Sequence, residues 1–405
     1  MTKARARGWM LLGPAFVAAI AYVDPGNVAA NLSGGAKFGY LLVWVLVAAN
    51  LIAAIVQYQS ARLGIVSGKT LPALLGERMR PAPRRAFWVQ AELVAVATDL
   101  AEIVGGAIAL SLLFGLPLLF GGVIVGVISM LLLAAQSRFG QRPFESVIVG
   151  LLAIIGVGFL AGLFVHPPDV GEIVGGLIPR FDGTDSVLLA ASMLGATVMP
   201  HAIYVHSALA RDRHGRAETV DERVRLLRAT RWDVVIALGI AGLVNIGMLL
   251  LAATNLRGVA GTDTIEGAHA AISTSLGPII ALAFAIGLLA SGLASTSVGS
   301  YAGATIMAGL VKRQIPLFVR RVITLIPALT VLALGIDPTR ALVISQVVLS
   351  FGIPFALIPL LRLTNDRTVM GDSANGPAMR WTLGVIVVLV VALNLALVLL
   401  LVVGR

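Results

Sequence analysis

Ala21-Tyr22-Val23-Asp24-Pro25-Gly26-Asn27 interrupts an apolar run over about 9–30, and Ala196-Thr197-Val198-Met199-Pro200-His201 interrupts another over about 185–210. Each places a proline inside what otherwise reads as a helix long enough to cross a bilayer. Proline has no N–H to offer the carbonyl four residues earlier, so Pro25 frees the carbonyl of Ala21 and Pro200 that of Ala196. An unsatisfied carbonyl in hydrocarbon costs several kcal/mol. Broken backbone at membrane depth is therefore tolerated where it lines a cavity or meets a ligand. The breaks fall in the first and sixth apolar runs, where an inverted repeat of five plus five helices would place corresponding elements around one transport site.

The rest of the chain fits that reading. Of 405 residues 58% are hydrophobic and 12% charged, against about 45–50% and about 25% in soluble domains, and the mean hydropathy is +0.96. Eleven apolar runs are bounded by charge, Gly and Pro: about 9–30, 39–63, 87–114, 117–136, 144–165, 185–210, 231–254, 271–311, 316–335, 340–361 and 380–403. The Gly/Ser-rich run 271–311 is expected to be one long, tightly packed helix. An outer-membrane barrel is excluded by the lack of alternating ten-residue segments and aromatic girdles. With no cysteine, disulfides and thiolate chemistry are excluded, and any metal must use oxygen, nitrogen or methionine sulfur.

With the N-terminus inside and the runs alternating, 25 of the 30 basic residues fall on the inner side. They include Lys3, Arg5 and Arg7, Arg138 and Arg142, seven arginines between 211 and 231, and Lys312 and Arg313. The outer side keeps Lys37, Arg180, Arg257, Arg340 and Arg405. This positive-inside bias predicts a cytoplasmic N-terminus and an extracytoplasmic C-terminus in the cell's inner (plasma) membrane. It also accounts for the net charge of +10 without nucleic acid, since no basic patch is interleaved with aromatics. Lys3, Arg5 and Arg7 begin a retained first span rather than a cleaved signal, because the run passes Asp24 without a small-residue cleavage site. The segment 211–231 mixes its arginines with Asp212, Glu218, Asp221 and Glu222 and reads as a solvated linker. Gly68-Lys69-Thr70 lacks the upstream glycine and strand of a phosphate loop.

Beside the breaks stand Asp24, Asn27 and Met199. A carboxylate, an amide oxygen and two freed carbonyls suit any divalent cation. A thioether turns the choice towards Mn²⁺, Fe²⁺, Co²⁺ or Cd²⁺; the competing reading of Met199 is gap-filling between helices. The third run carries Glu92, Asp99 and Glu102, acids that in lipid mark a pathway or a proton relay. Offsets of 7 and 3 put them on one stripe about 15 Å long, and Arg320 and Arg321 enter the ninth run at the depth of Glu92, so an ion-pair network is expected, with a purely structural role as the alternative. His201 and His206 are five residues apart and diverge by about 140° on a regular helix, so they do not chelate one ion together. A gating or proton-modulating role is expected of His201.

Asp24-Pro-Gly-Asn27, Ala196-Thr-Val-Met199-Pro-His201 with Tyr204 and His206-Ser207, and Thr98-Asp99-Leu-Ala-Glu102 together resemble the Nramp family of proton-coupled divalent metal transporters over nearly the whole chain. The resemblance implies an all-α integral membrane protein with a LeuT-like fold: inverted repeats over about 9–165 and 185–361, and an eleventh helix at about 380–403, in one domain spanning 1–405. It implies metal ligands Asp24, Asn27, Met199 and the Ala196 carbonyl, joined in some conformations by the Ala21 carbonyl and the amide of Gln346. Relatives that carry magnesium lack the methionine, which places this chain in the manganese and iron branch. Ala202 stands where many members carry Asn.

The expected partners are divalent metal ions and protons as substrates and the lipid bilayer, with no resident cofactor, nucleic acid or obligatory protein partner. Metal binding at Asp24 is expected to displace a proton through Asp99 and the network of Glu92, Glu102, Arg320 and Arg321. A metalloenzyme using Asp24 and His201 lacks a water-activating constellation, and in a sodium-coupled amino-acid carrier Asp24 would repel the substrate's carboxylate.

Overall fold

The computed structural model describes residues 12–139, 141–311 and 316–403, with the side chains of 132–144 and of Leu317 left aside. Lys3, Arg5, Arg7, Lys312, Arg313 and Arg405 lie outside the described residues, as do the side chains of Arg138 and Arg142. The described residues are helical, with no strand. In chain order the helices are α1 (Pro14–Ile20), α2 (Pro25–Phe38), α3 (Val43–Ser67), α4 (Leu71–Arg78), α5 (Pro81–Phe114), α6 (Leu118–Phe139), α7 (Gln141–Val165), α8 (Val170–Gly175) and α9 (Gly183–Thr197). They continue as α10 (Pro200–His214), α11 (Val220–Asn255), α12 (Ile265–Leu276), α13 (Pro278–Leu310), α14 (Leu317–Ala333), α15 (Pro338–Asn365), α16 (Arg367–Met370) and α17 (Pro377–Val403). Eight helical segments among the described residues are long and apolar enough to cross a membrane; Pro14–Val23 and Leu118–Leu131 are apolar but shorter.

The centre of the molecule is built around the broken helices. α13 packs along α5 and α7, α11 along α2 and α3, α15 along α9 and α5, and α10 along α3. Lipid gives little hydrophobic drive between helices, so close approach at small residues carries the packing. Gly292 of α13 faces Gly106 of α5, where an added Cβ would lie 3.3 Å from the Gly106 Cα. Large apolar side chains cover the outside, including Leu243, Phe120, Val388 and Leu389.

Two sequence expectations need correction. The run 271–311 is not one helix: α12 ends at Leu276 and α13 begins at Pro278, because Gly277 adopts φ +95° and the proline opens the next helix at its first position. The remaining 33 residues of α13 are continuous. The linker expected over 211–231 is largely helix, since α10 reaches His214 and α11 starts at Val220. Thr219 caps α11 by accepting from the Glu222 backbone N–H at 3.2 Å, while Glu222 accepts from the Glu218 N–H at 3.0 Å. That Thr-x-x-Glu spacing is a capping signal present in the sequence.

Candidate metal centre

α1 stops at Ile20, one tight turn follows over Ala21–Val23, and Asp24 is extended (φ −68°, ψ 163°) before α2 begins at Pro25. The Asp24 carboxylate caps α2 by accepting from the Asn27 N–H at 2.8 Å, so the positive end of that helix favours the anion. Polar side chains from neighbouring helices satisfy part of the unwound backbone. The Tyr22 carbonyl accepts from the amides of Asn27 and Asn245, the latter at 2.7 Å, and the Val23 carbonyl from the Ser291 hydroxyl at 2.5 Å. Ala21 faces proline four residues on and gains no helical donor there.

The second break mirrors the first. α9 ends at Thr197, Val198 (φ −112°, ψ 52°) and Met199 (φ −57°, ψ 124°) leave helical geometry, and α10 starts at Pro200. Ala196 and Met199 are fully buried, as are Asp24 and Asn27.

Gln346 of α15 ties the breaks together. Its Nε2 donates to Asp24 Oδ2 at 3.1 Å, and its backbone carbonyl presses on Gly195 beside Ala196, 2.0 Å from where a Cβ would stand. Its Oε1 is buried with no hydrogen-bond partner among the described residues, an acceptor left available to a cation. The Oδ1 of Asn27 accepts from Asn31 at 2.9 Å, which leaves its second lone pair. Among the described residues no three His, Cys, Asp or Glu side chains gather to hold a metal. A cation here would thus meet one carboxylate with amide, carbonyl and thioether donors, a mixed hard and soft set.

The expected acids and arginines do meet. Arg320 donates from Nε and Nη2 to the two Glu92 oxygens at 3.0 and 3.2 Å. Arg321 places Nη1 2.7 Å from Asp99 Oδ1 and 3.9 Å from Glu102 Oε2, while its Nε donates to Ser129 at 3.0 Å. α13 makes room for both charge types. A Cβ on Gly303 would lie 1.5 Å from Arg320 Nη1, and one on Gly299 2.9 Å from Glu102 Oε1. The carboxylate oxygens of Glu102 are buried without a hydrogen-bond donor among the described residues.

The histidines point to different partners. His201 Nδ1 lies 3.2 Å from the Thr98 hydroxyl, one residue before Asp99. His206 Nδ1 lies 2.8 Å from Gln57 Oε1, and the Gln57 amide reaches the Tyr22 hydroxyl. Sequence reasoning does not single out Tyr22, Asn31, Gln57 or Asn245, and reads Ser291 only as one of the small residues that pack the run 271–311. Their signal was an amide or hydroxyl inside an apolar run, where it must bond to another helix.

Over residues 15–400 the sequence matches the family described as "Natural resistance-associated macrophage protein-like", or Nramp. The chain belongs to the Nramp family. Among Nramp relatives, the Mycobacterium tuberculosis "Divalent metal cation transporter MntH" is 61% identical over 396 residues, covering 98% of this chain and 92% of that protein. The Deinococcus radiodurans protein of the same name is 47% identical over 386 residues, covering 95% and 88%. A crystal structure of a point mutant of the Eremococcus coleocola manganese transporter superposes with a TM-score of 0.86 at 29% identity, covering 98% of this chain and 88% of that one. Mhp1, a nucleobase-cation-symport-1 family transporter, shares the fold at a TM-score of 0.60 and 17% identity, covering 86% and 77%. The fold of this Nramp chain is LeuT-like, as expected.

Proposed function

We propose that this chain is a secondary transporter, not an enzyme, that carries divalent transition metal ions, Mn²⁺ and Fe²⁺ foremost and also Co²⁺ and Cd²⁺, across the cytoplasmic membrane with protons as the coupled ion. The observation that carries the reading is the buried junction of Asp24, Gln346 and the Met199 break. It offers one carboxylate, an unpartnered amide oxygen, carbonyls released by proline and a thioether. Asp24, Asn27, Met199 and the Ala196 carbonyl bind the ion, with the Ala21 carbonyl and Gln346 entering as the helices rearrange between outward- and inward-open states. The names of the MntH relatives and the manganese transporter support a divalent metal as cargo.

On this reading the cation displaces a proton from Asp24 towards Asp99, with His201 and Thr98 beside that route. Glu92, Glu102, Arg320 and Arg321 then carry it on towards the cytoplasm. The eleven crossings, the two repeats and the cytoplasmic N-terminus belong to the same proposal, supported by the charge bias of the sequence.

Selectivity tests the ligand set. Equilibrium binding of Mn²⁺ to the purified protein should resist excess Ca²⁺, and Met199→Ala should let Ca²⁺ compete, because removing sulfur leaves only hard donors. An identical selectivity profile in the variant would refute the thioether role.

A further inference from the structure

The face opposite the Arg-rich 211–231 segment is poor in basic residues, with five in the whole sequence reading. Three of them, Lys37, Arg180 and Arg257, line one cavity of about 220 Å³, together with Tyr40, Glu172 and Asp182. Lys37 is already engaged, its Nζ lying 2.7 Å from Asp185. The guanidinium groups of Arg180 and Arg257 and the carboxylates of Glu172 and Asp182 have no ion pair or hydrogen bond among the described residues. Two guanidinium groups and two carboxylates, all on exposed residues and none paired within the described residues, therefore line the same small space. A simple anion would be repelled by the carboxylates and a simple cation by the arginines. A ligand carrying both charges satisfies all four.

The cavity is built by backbone packing. Gly39 adopts φ +60° and lies under the Arg257 side chain, where a Cβ would sit 3.0 Å from Nη1. Gly176 comes so close to Tyr40 that a Cβ would be 2.2 Å from its carbonyl oxygen. Trp44 pins the other wall: its backbone N–H donates to the Gly176 carbonyl at 3.0 Å, its indole Nε1 to the Arg180 carbonyl at 3.2 Å, and its ring meets Phe181 edge-on at 5.3 Å. Trp44 at the start of α3, with Phe181 against it, marks the depth at which an indole ring meets lipid head groups. At 220 Å³ the space is below the roughly 300 Å³ of a drug-sized pocket and suits a head group.

We propose that this cavity binds a small zwitterion bearing a phosphate and a primary ammonium, the chemistry of an ethanolamine phosphate, either as a membrane lipid head group or as the free compound. Arg180 and Arg257 take the phosphate, where planar guanidinium groups make paired hydrogen bonds. Glu172 and Asp182 take the ammonium, whose three N–H groups a quaternary choline lacks.

The test uses the delipidated full-length protein in detergent. Its thermal unfolding and ligand affinity are followed with short-chain phosphatidylethanolamine, phosphatidylcholine, phosphatidylglycerol and free O-phosphoethanolamine. Saturable stabilisation by phosphatidylethanolamine above the other two lipids is expected, with affinity falling about tenfold or more in Arg180→Ala/Arg257→Ala. In Glu172→Gln/Asp182→Asn the preference for ethanolamine over glycerol head groups should vanish, while the variant still folds because both residues are exposed. Stabilisation by the lipid alone assigns the site to the membrane, and equal stabilisation by the free compound assigns it to a soluble ligand. Phosphatidylglycerol binding as well as phosphatidylethanolamine, or affinity unmoved in both double variants, overturns the proposal.

Discussion

The Gln346 side-chain amide donates to Asp24 Oδ2 at 3.1 Å, joining α15 to the break between α1 and α2. The same amide nitrogen stands 1.7 Å from the place a Gly26 Cβ would take, so the contact depends on a glycine after Pro25. Replacing Gln346 with Ala removes a hydrogen bond to a charged group, of order 1.5–3 kcal/mol. Mn²⁺ affinity should fall about tenfold or more in equilibrium binding. Gly26→Ala should do at least as much, because its methyl expels Gln346; unaltered binding in either would separate Gln346 from the metal.

Asp99 takes the short contact to Arg321 at 2.7 Å, and Glu102 only the long one at 3.9 Å. In Asp99→Asn, Mn²⁺ binding should persist and proton movement coupled to it should drop, read as a fluorescent pH signal inside proteoliposomes. Arg321→Ala is different in kind. It strands two buried carboxylates, and breaking a buried pair costs about 3–5 kcal/mol, so protein yield and unfolding midpoint should both fall. Proton flux that is unchanged in Asp99→Asn counts against the relay.

The start of α1 is held from a distance. Asp233 of α11 accepts from the Gly13 and Ala15 N–H groups, each at 2.9 Å, and is buried. The first N–H groups of a helix have no acceptor within the helix, so this carboxylate acts as their cap. Asp233→Ala should cost roughly 2–4 kcal/mol and increase labelling of cysteines introduced along α1. Asp233→Asn, which keeps an acceptor, should cost less. Equal stability in all three proteins would show that α1 is anchored by other contacts.

At the other end of the pH scale stands an exposed latch. Arg78 Nη1 lies 2.6 Å from Asp366 Oδ2, and hydrogen bonds from Arg78 and then Thr368 hold the Asp366 carboxyl down to about 2, from an ordinary 3.8. A carboxyl whose value is lowered by folding stabilises the fold fully above its unfolded value and loses that contribution as pH falls through about 2. The Asp366 carboxylate is thus ionised throughout pH 5 to 8. The effect of Asp366→Asn on the unfolding midpoint should be small and the same at pH 5 and pH 8. A pH-dependent effect in that window would contradict the assignment.

Much of this site was legible in the residues because membranes make polar groups conspicuous. Pro25 and Pro200 announced the breaks, and the positions of Arg320 and Arg321 announced partners for the acids of α5. The resemblance implies Gln346 as a metal ligand in some conformations, but its bond to Asp24 is legible only in the structure, since nothing in local spacing links α2 to a helix more than 300 residues away. Tyr22, Gln57 and Asn245 are harder to single out for a related reason: an uncharged hydroxyl or amide is less conspicuous than a charge, though its unbonded cost in hydrocarbon is still several kcal/mol. The break at Gly277-Pro278 is not legible from composition, because small residues favour close helix packing as well as turns. There the glycine's positive φ decided the outcome.

The most direct measurement is radiolabelled Mn²⁺ uptake into proteoliposomes, with and without an inward proton gradient, for the natural protein and for Asp24→Asn. Uptake should be accelerated by the gradient, resist competition from Ca²⁺ and Mg²⁺, and be lost in Asp24→Asn while the variant remains folded. Absence of Mn²⁺ uptake by the natural protein, or full uptake by Asp24→Asn, would contradict metal transport through the junction of the two broken helices.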